Sequence, residues 1–347
     1  MKKRVRFYDL IRIICFCNII YYHMTVQLAV DSICGYGIID RFHSSANMHI
    51  ATMSVAVFFI LSGASLGLTT REHFSIGKYY KKRLLRLLVP FYIATVFCTT
   101  AVLVLGISIG SFNPAVTPKW TIIFTVLGLD TWMTMHGLQT FSIGLGEWFL
   151  GALIVLSVLY PLFRYLIRKI PRAFLGIVAV VYVGTILLYQ QGFFEIVPMH
   201  MNLLLKGSEF ILGIYFGMYR EKISSRWSIL TIPVCLLFFL CPIAFPISEA
   251  VKITAVAVCF FLSFSCLENL LQKRNHPVMD RLCGCSYELF LCHHMVIYLV
   301  SVVLEKFLTG IPLVVCMFTA ELIGMAIVTI VLKFLSDRLV NLLLGVK

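Results

Sequence analysis

Read along the chain, long apolar stretches alternate with short polar segments that are mostly basic. A helix needs about 20 consecutive apolar residues to cross a bilayer. Ten stretches meet or approach that length: Phe7–Val30, Ile50–Thr69, Phe91–Gly110, Trp148–Ile167, Phe174–Gln191, Leu203–Tyr219, Ile229–Phe245, Val251–Leu271, Cys283–Leu304 and Leu313–Leu335. One further stretch, Trp120–Leu129, is apolar but too short to span and reads as interfacial or re-entrant. The pattern predicts an all-α polytopic membrane protein of about ten transmembrane helices. It shows no internal repeat and no attached soluble domain, so residues 1–347 are expected to form a single membrane-embedded domain.

Composition agrees. Hydrophobic residues are 60% of the chain, charged residues 13%, and the mean hydropathy is +0.94. A soluble domain carries roughly a quarter charged residues and cannot hide so much apolar surface. The first apolar stretch is too long for a signal peptide, carries Arg12, and is followed by no small-x-small site, so it is expected to be a retained span.

Charge then gives an orientation. With the N-terminus taken as cytoplasmic, 23 of the 29 lysines and arginines fall in inside segments and 5 in outside loops or span ends (Arg41, Lys119, Lys206, Lys252 and Lys306). Cytoplasmic loops carry the excess of cations, so an even number of spans with both termini inside is expected. The net charge of +13 is accordingly a topology signal. It is spread over six segments, which argues against a nucleic-acid partner. The twelve cysteines lie mostly inside spans, and Cys283-x-Cys285 is too close for a zinc pair, so they read as small apolar filler.

Against this background the first span is unusual, because it holds Asp9, Arg12 and His23. Ionisable residues inside spans face the bundle interior and mark a site or pathway. Arg12 and His23 are eleven residues apart, which brings them back to within about 20° on the helix and separates them by roughly 16 Å. Asp9, one turn before Arg12, is placed to pair with it. A lone buried histidine is as often a packing residue; the shared stripe favours function. A second feature is "KYYKKRLLRLLVPFY" (Lys78–Tyr92), which packs Lys81, Lys82, Arg83 and Arg86 at the inner face. Such runs usually bind anionic membrane lipids and set topology. They also clamp phosphates. A phosphate clamp inside and a buried base deeper in the membrane suit a donor with a charged head and a long narrow arm, the shape of a coenzyme A thioester.

At these residues the chain resembles the acyltransferase-3 family of bacterial membrane O-acyltransferases. Asp9, Arg12 and His23 match the family's opening motif in identity and spacing. "VFFILSG" (Val57–Gly63) resembles its Phe-Phe-x-x-Ser-Gly segment, and the basic stretch ahead of Pro90 its arginine-rich stretch. "EWFLGALIVLSVLYPLF", "SEFILG" (Ser208–Gly213) and "SYELFLCHH" (Ser286–His294) resemble its later segments. The likeness runs from residue 9 to about 294. Two features depart from it. Leu84 stands where the family's Arg-x-Arg pair has its first arginine, with Arg86 at the second and Arg83 one residue displaced. Glu288 replaces a small or polar residue, and a partner inside the bundle is its expected explanation. Some relatives add an extracellular esterase-like domain; no such domain is read in this sequence.

The resemblance implies transfer of an acyl group, acetyl by family prior, from cytoplasmic acyl-CoA to a hydroxyl of a cell-envelope glycan or glycolipid, in the bacterial cytoplasmic membrane. Acyl-CoA is then a substrate, and no bound cofactor or metal is expected. His23 is the expected general base, since a neutral histidine takes the proton of an attacking hydroxyl. Arg12 is expected to guide the donor, and Lys82, Arg83 and Arg86 to hold its phosphates. Asp9, Ser62, Glu147, Trp148 and His293 are possible lining residues. Blander readings stand beside three of them. Ser62, next to Gly63, reads as a helix-packing contact. Glu147 reads as a solvated carboxylate at a helix start. His293 and His294 are adjacent, so at most one is expected to face the site. His43 and His49 lie in an outside loop without ligand spacing and read as exposed polar residues. The competing class is a proton-coupled transporter or flippase using His23, Glu209, Glu288 and Glu321; the lack of repeated halves or paired broken helices counts against it.

Overall fold

The structure, a computed structural model, describes residues 4–69, 74–106, 116–194, 196–222, 226–273 and 275–345. The cations Lys2, Lys3, Arg71, Arg274 and Lys347, and the expected end of the third span at Gly110, lie outside the described residues. The described chain is helical: α1 (Arg6–Val30), α2 (Tyr36–His43), α3 (Ile50–Thr69), α4 (Ile76–Leu105), α5 (Ile122–Leu127), α6 (Asp130–Met135), α7 (Glu147–Lys169), α8 (Pro171–Gln190), α9 (Leu203–Met218), α10 (Trp227–Leu240), α11 (Glu249–Ser263), α12 (Glu268–Leu271), α13 (Pro277–Leu304) and α14 (Gly310–Leu344). Only helices or closed barrels satisfy their backbone groups inside a bilayer, which is why the apolar stretches take this form.

Each of the ten expected spans coincides with helical structure, and eight helical runs are long and apolar enough to cross a membrane, one of them Glu249–Leu271, where α11 continues through a 3₁₀ turn into α12. The other two, α9 with 16 residues and α10 with 14, are shorter than a full span. The stretch around Trp120–Leu129 forms a 3₁₀ turn and two helices of six residues, α5 and α6, too short to cross. Hydropathy misplaced one kind of boundary. The basic stretch at Lys78–Arg86 is the first part of α4, which continues through Pro90 for 30 residues in all. Apolarity ends at the last charge, whereas helical hydrogen bonding does not.

The chain divides into two compact units. The first comprises Met1–Tyr22, Tyr36–Phe74 and Leu159–Gly284; the second comprises His23–Gly35, Ser75–Val158 and Cys285–Lys347. In the first, α3 and α9 lie against each other backbone to backbone. A Cβ added at Gly63 would sit 2.0 Å from the Phe210 carbonyl oxygen, and one at Gly213 would sit 2.1 Å from that of Ile60. Gly67 and Gly217 repeat the contact one turn on. Small residues let membrane helices approach this closely. The two glycine-bearing motif segments are therefore the two halves of one helix contact. Phe7, Tyr8, Ile11, Val57, Ile60, Val256 and Phe261 fill the core beside it.

The first unit also carries two ionic groups. Asp9 is shared, with Oδ1 3.3 Å from Arg12 and Oδ2 2.6 Å from Arg4, so Arg12 is not its sole or closest partner. Arg4 reaches on to Asp280 at 2.8 Å, and Arg6 pairs with the same carboxylate. In α9, Lys206 and Glu209 are both almost fully buried and pair at 2.9 Å; Thr254 donates to the same carboxylate at 2.8 Å. Sequence counting placed Lys206 among outside cations. Its i,i+3 spacing from Glu209 lets it neutralise a buried carboxylate instead. His43, expected to be exposed, is buried. The Tyr22 ring stands edge-on to both His43 and His49, at 5.1 and 4.9 Å between centroids, and that aromatic packing draws the loop inward.

The second unit is built on α4, α13 and α14 with the C-terminal part of α1 and the N-terminal half of α7. Gln27 and Ser301 both donate to the Asp31 carboxylate, at 2.7 and 2.5 Å, and so latch the end of α1 to α13. Across α13 and α14, Cys292 Sγ meets Thr329 Oγ1 at 3.6 Å. The buried Glu288 faces Lys333 of α14 at 3.6 Å, which supplies the bundle partner its position required.

Candidate functional site

His23 lies one turn before the Gln27 latch, on the same face of α1, and its ring meets residues from two distant segments of the second unit. Glu147 Oε1 is 3.0 Å from His23 Nε2 and 3.4 Å from His293 Nε2. The His293 and His294 rings each lie 5.2 Å from the His23 ring, centroid to centroid. The expectation that only one of this adjacent pair faces the site is not met. Their side chains diverge by about 100° around α13, and the His23 ring is large enough to touch both.

The local backbone explains how Glu147 gets there. The loop into α7 reads "SIGLGEW", and Gly144 and Gly146 take φ of 78° and 68°. Glu147 itself sits at φ 44°, in the left-handed region that costs a residue with a Cβ roughly 1–2 kcal/mol. A Cβ on Gly146 would press on Leu150 and Leu291 at 2.7 and 3.3 Å, so the turn needs glycine there. The strain aims a carboxylate at two imidazoles in place of water. Its blander reading as a solvated helix-start residue is corrected: the side chain is 23% exposed and Oε1 is buried. Trp148, next in sequence, is buried.

The three imidazoles differ in setting. His293 is fully buried, and its Nδ1 lies 2.7 Å from the Phe290 carbonyl, which accepts only from an Nδ1–H. That contact uses Nδ1 and leaves Nε2 facing Glu147. His23 is half-buried, and His294 is exposed on the same cluster. Three potential ligand atoms, one each from His23, Glu147 and His293, fall within 4.8 Å of one another. The sequence held no spacing signal for this group, because its members come from α1, α7 and α13.

The basic end of α4 makes a second polar region in the same unit. Arg83 Nε donates to Ser157 Oγ at 3.1 Å, and Tyr79 donates to the Ser157 carbonyl at 2.7 Å. Tyr287 of α13 lies within electrostatic range of Arg83 and donates to the Leu87 carbonyl at 2.7 Å. Arg83 is half-buried, whereas Lys82 and Arg86 are exposed. Ser157, Tyr79 and Tyr287 were not singled out by sequence reasoning, although all three lie inside quoted segments. Tyr287 and His293 are six residues apart on α13, which separates this basic region from the histidine cluster by about 9 Å along the axis. Asp9, Arg12 and Ser62 belong to the other unit. Ser62 is half-buried and precedes Gly63 on α3.

An acyltransferase domain family, acyltransferase-3, matches residues 5–334. The chain belongs to this family. It is a multi-pass membrane acyltransferase, as its apolar helices and the extent of the match require. No curated protein matches the chain, and no solved structure does. In this acyltransferase the matched region contains the histidine cluster, the basic start of α4 and the Asp9–Arg12 pair alike.

Proposed function

We propose that the protein transfers an acyl group, acetyl in the simplest case, from cytoplasmic acyl-CoA to a hydroxyl of an envelope glycan or glycolipid, in a bacterial cytoplasmic membrane. The single observation that carries this reading is His23 held by Glu147 at 3.0 Å beside a second and third imidazole. A carboxylate that holds one ring nitrogen of a histidine selects its tautomer and stabilises the imidazolium that forms. With Nε2–H turned to Glu147, Nδ1 is the proton acceptor. The acceptor hydroxyl loses its proton to Nδ1 as its oxygen bonds to the thioester carbonyl carbon. The tetrahedral intermediate then expels the thiolate, which takes up the proton and leaves as free coenzyme A. The ester product needs no other reactant.

The basic start of α4 supports the donor side of this reading. Arg83 and Arg86 are i,i+3 neighbours on one face, and phosphates favour such guanidinium pairs. A donor whose phosphates engage them projects its narrow arm along α13 toward the histidines. Arg12, paired with Asp9, is proposed to guide the donor head. The buried ionisable residues that favour a transporter are paired in the cases of Glu209 and Glu288, with Lys206 and Lys333.

The test is acyl transfer from labelled acyl-CoA to envelope material in membranes, normalised to monodisperse protein. His23→Ala should lose about 10²–10⁴-fold in turnover, the usual general-base contribution, with donor binding retained. Arg83→Ala and Arg86→Ala should weaken donor binding and make the residue of binding less sensitive to salt. Full turnover in His23→Ala rejects the base. Undiminished donor binding in both arginine variants reduces the basic stretch to a topology signal.

A further inference from the structure

We propose that the His23–Glu147–His293 cluster is a binding site for a divalent transition-metal ion of the zinc type, and that the bound ion inhibits acyl transfer by occupying the base. The inhibitory half rests on the function proposed above; the binding half does not.

The geometry carries the binding. Zinc holds imidazole nitrogen and carboxylate oxygen at about 2.0–2.1 Å in a tetrahedron, which sets neighbouring ligand atoms roughly 3.3 Å apart. Glu147 Oε1 stands 3.0 and 3.4 Å from the two Nε2 atoms, and all three atoms lie within 4.8 Å of each other. Only a small closure of the two imidazoles brings them onto one ion. His293 presents Nε2 as its ligating nitrogen, since its Nδ1–H is held by the Phe290 carbonyl at 2.7 Å. Metal-binding histidines characteristically donate their second nitrogen to a carbonyl in this way. Nε2 of His293 therefore faces the carboxylate oxygen at 3.4 Å, a spacing that a bound cation can bridge. Glu147 Oε1 is buried between the two imidazoles.

The donor set chooses the class of ion. Two imidazoles and one carboxylate suit zinc and its transition-metal neighbours, whereas magnesium and calcium prefer all-oxygen sites. Three protein ligands leave the fourth position open to water. The His294 ring, 5.2 Å from His23, flanks the cluster on another side. An ion on His23 Nε2 and Glu147 Oε1 requires the ring proton to move from Nε2 to Nδ1, which leaves His23 no free nitrogen to act as base, and it places a positive charge where an imidazolium must form. The transfer step then stops until the ion leaves.

The experiment uses the full chain, purified in detergent, chelator-stripped, and with its twelve free cysteines alkylated so that thiols do not compete. Cobalt(II) is the spectroscopic probe and zinc the inhibitor. The parent should bind one cobalt per chain with the visible absorption of a tetrahedral nitrogen–oxygen site. Glu147→Gln and His293→Ala, each checked as monodisperse, should bind at least about 10–100-fold more weakly, since loss of even an outer partner costs that much. In unalkylated membranes, zinc should inhibit labelled acyl transfer, and a chelator should restore it. Zinc sensitivity, taken relative to each variant's own zinc-free rate, should fall by a similar factor in His293→Ala. Equal cobalt binding by parent and both variants overturns the site. A stripped enzyme that is inactive until zinc is added overturns inhibition. Tetrahedral cobalt binding in a protein that transfers no acyl group upholds the site and sinks the transfer reading alone.

Discussion

At the scale of single residues, strain and burial mark the positions where function is concentrated. Glu147 keeps a left-handed backbone that glycine adopts without cost, so two substitutions there separate shape from chemistry. Glu147→Gly should raise stability by about 1 kcal/mol through relief of the strain, and yet abolish transfer. Glu147→Gln should keep the parent's stability and lose most turnover, because it cannot stabilise the imidazolium. The pair is read by thermal unfolding in detergent alongside the transfer assay; a Glu147→Gly variant less stable than the parent would show that the φ value stores no strain. Asp130, outside the spans at the start of α6, offers a pH signature. Burial pushes its carboxyl up from 3.8 to about 6, even though it accepts from the Thr131 amide at 2.8 Å. The folded group thus holds its proton longer than the unfolded one. Stability contributed here is highest below the unfolded value and falls as pH rises from about 4 to about 6, by roughly 2–3 kcal/mol in all. Hydrogen exchange over residues 119–145, corrected for intrinsic rates, should show protection falling across that window. Asp130→Asn should flatten the profile; an unchanged slope in that variant would place the titration elsewhere.

At the scale of elements, the α3–α9 contact shows how a motif legible in sequence takes its meaning from packing. Gly63 and Gly213 lie in separate segments 150 residues apart, and each occupies the space where the other helix's backbone passes. Gly213→Ala places a methyl 2.1 Å from the Ile60 carbonyl oxygen and must drive the helices apart. The cost should reach the upper part of the 1–3 kcal/mol range for overpacking, or beyond. Gly176→Ala, in α8 with open space around its Cβ, should be neutral or slightly stabilising. The comparison of melting midpoints in detergent tests this; equal midpoints would mean that the close approach is not maintained. The same scale accounts for α4. Its basic first part and apolar remainder form one rod, so Arg83 is positioned by a helix whose apolar positions are anchored in the second unit.

At the scale of the whole molecule, the alternation of apolar and basic segments makes a claim about orientation that the helices alone do not test. With both termini cytoplasmic, the segment between α1 and α3 lies outside, with Arg41 as its one cation other than histidine. Ser44 is exposed there. In a cysteine-reduced background, Ser44→Cys should react with an impermeant thiol reagent in intact cells. Labelling only after lysis reverses the orientation, and with it the side from which donor and acceptor arrive.

Much of this protein follows from the chain alone. Apolar length dictates helices because a bilayer leaves no other partner for backbone amides, and each of the ten expected spans coincides with helical structure among the described residues. The spacing of Asp9, Arg12 and His23 was enough to place them on one element and to point to a site, since helical geometry is local. The set of groups that meet was beyond its reach. Glu147 joins His23 through a turn of positive φ values, and His293 and His294 arrive together from α13. Asp9 turns to Arg4 as well as Arg12, Lys206 is drawn inside by Glu209, and His43 is buried by Tyr22. Each of these depends on which ionisable or aromatic side chain is brought near another when helices pack. A buried charge must find a partner, but only the packed fold decides which one it finds.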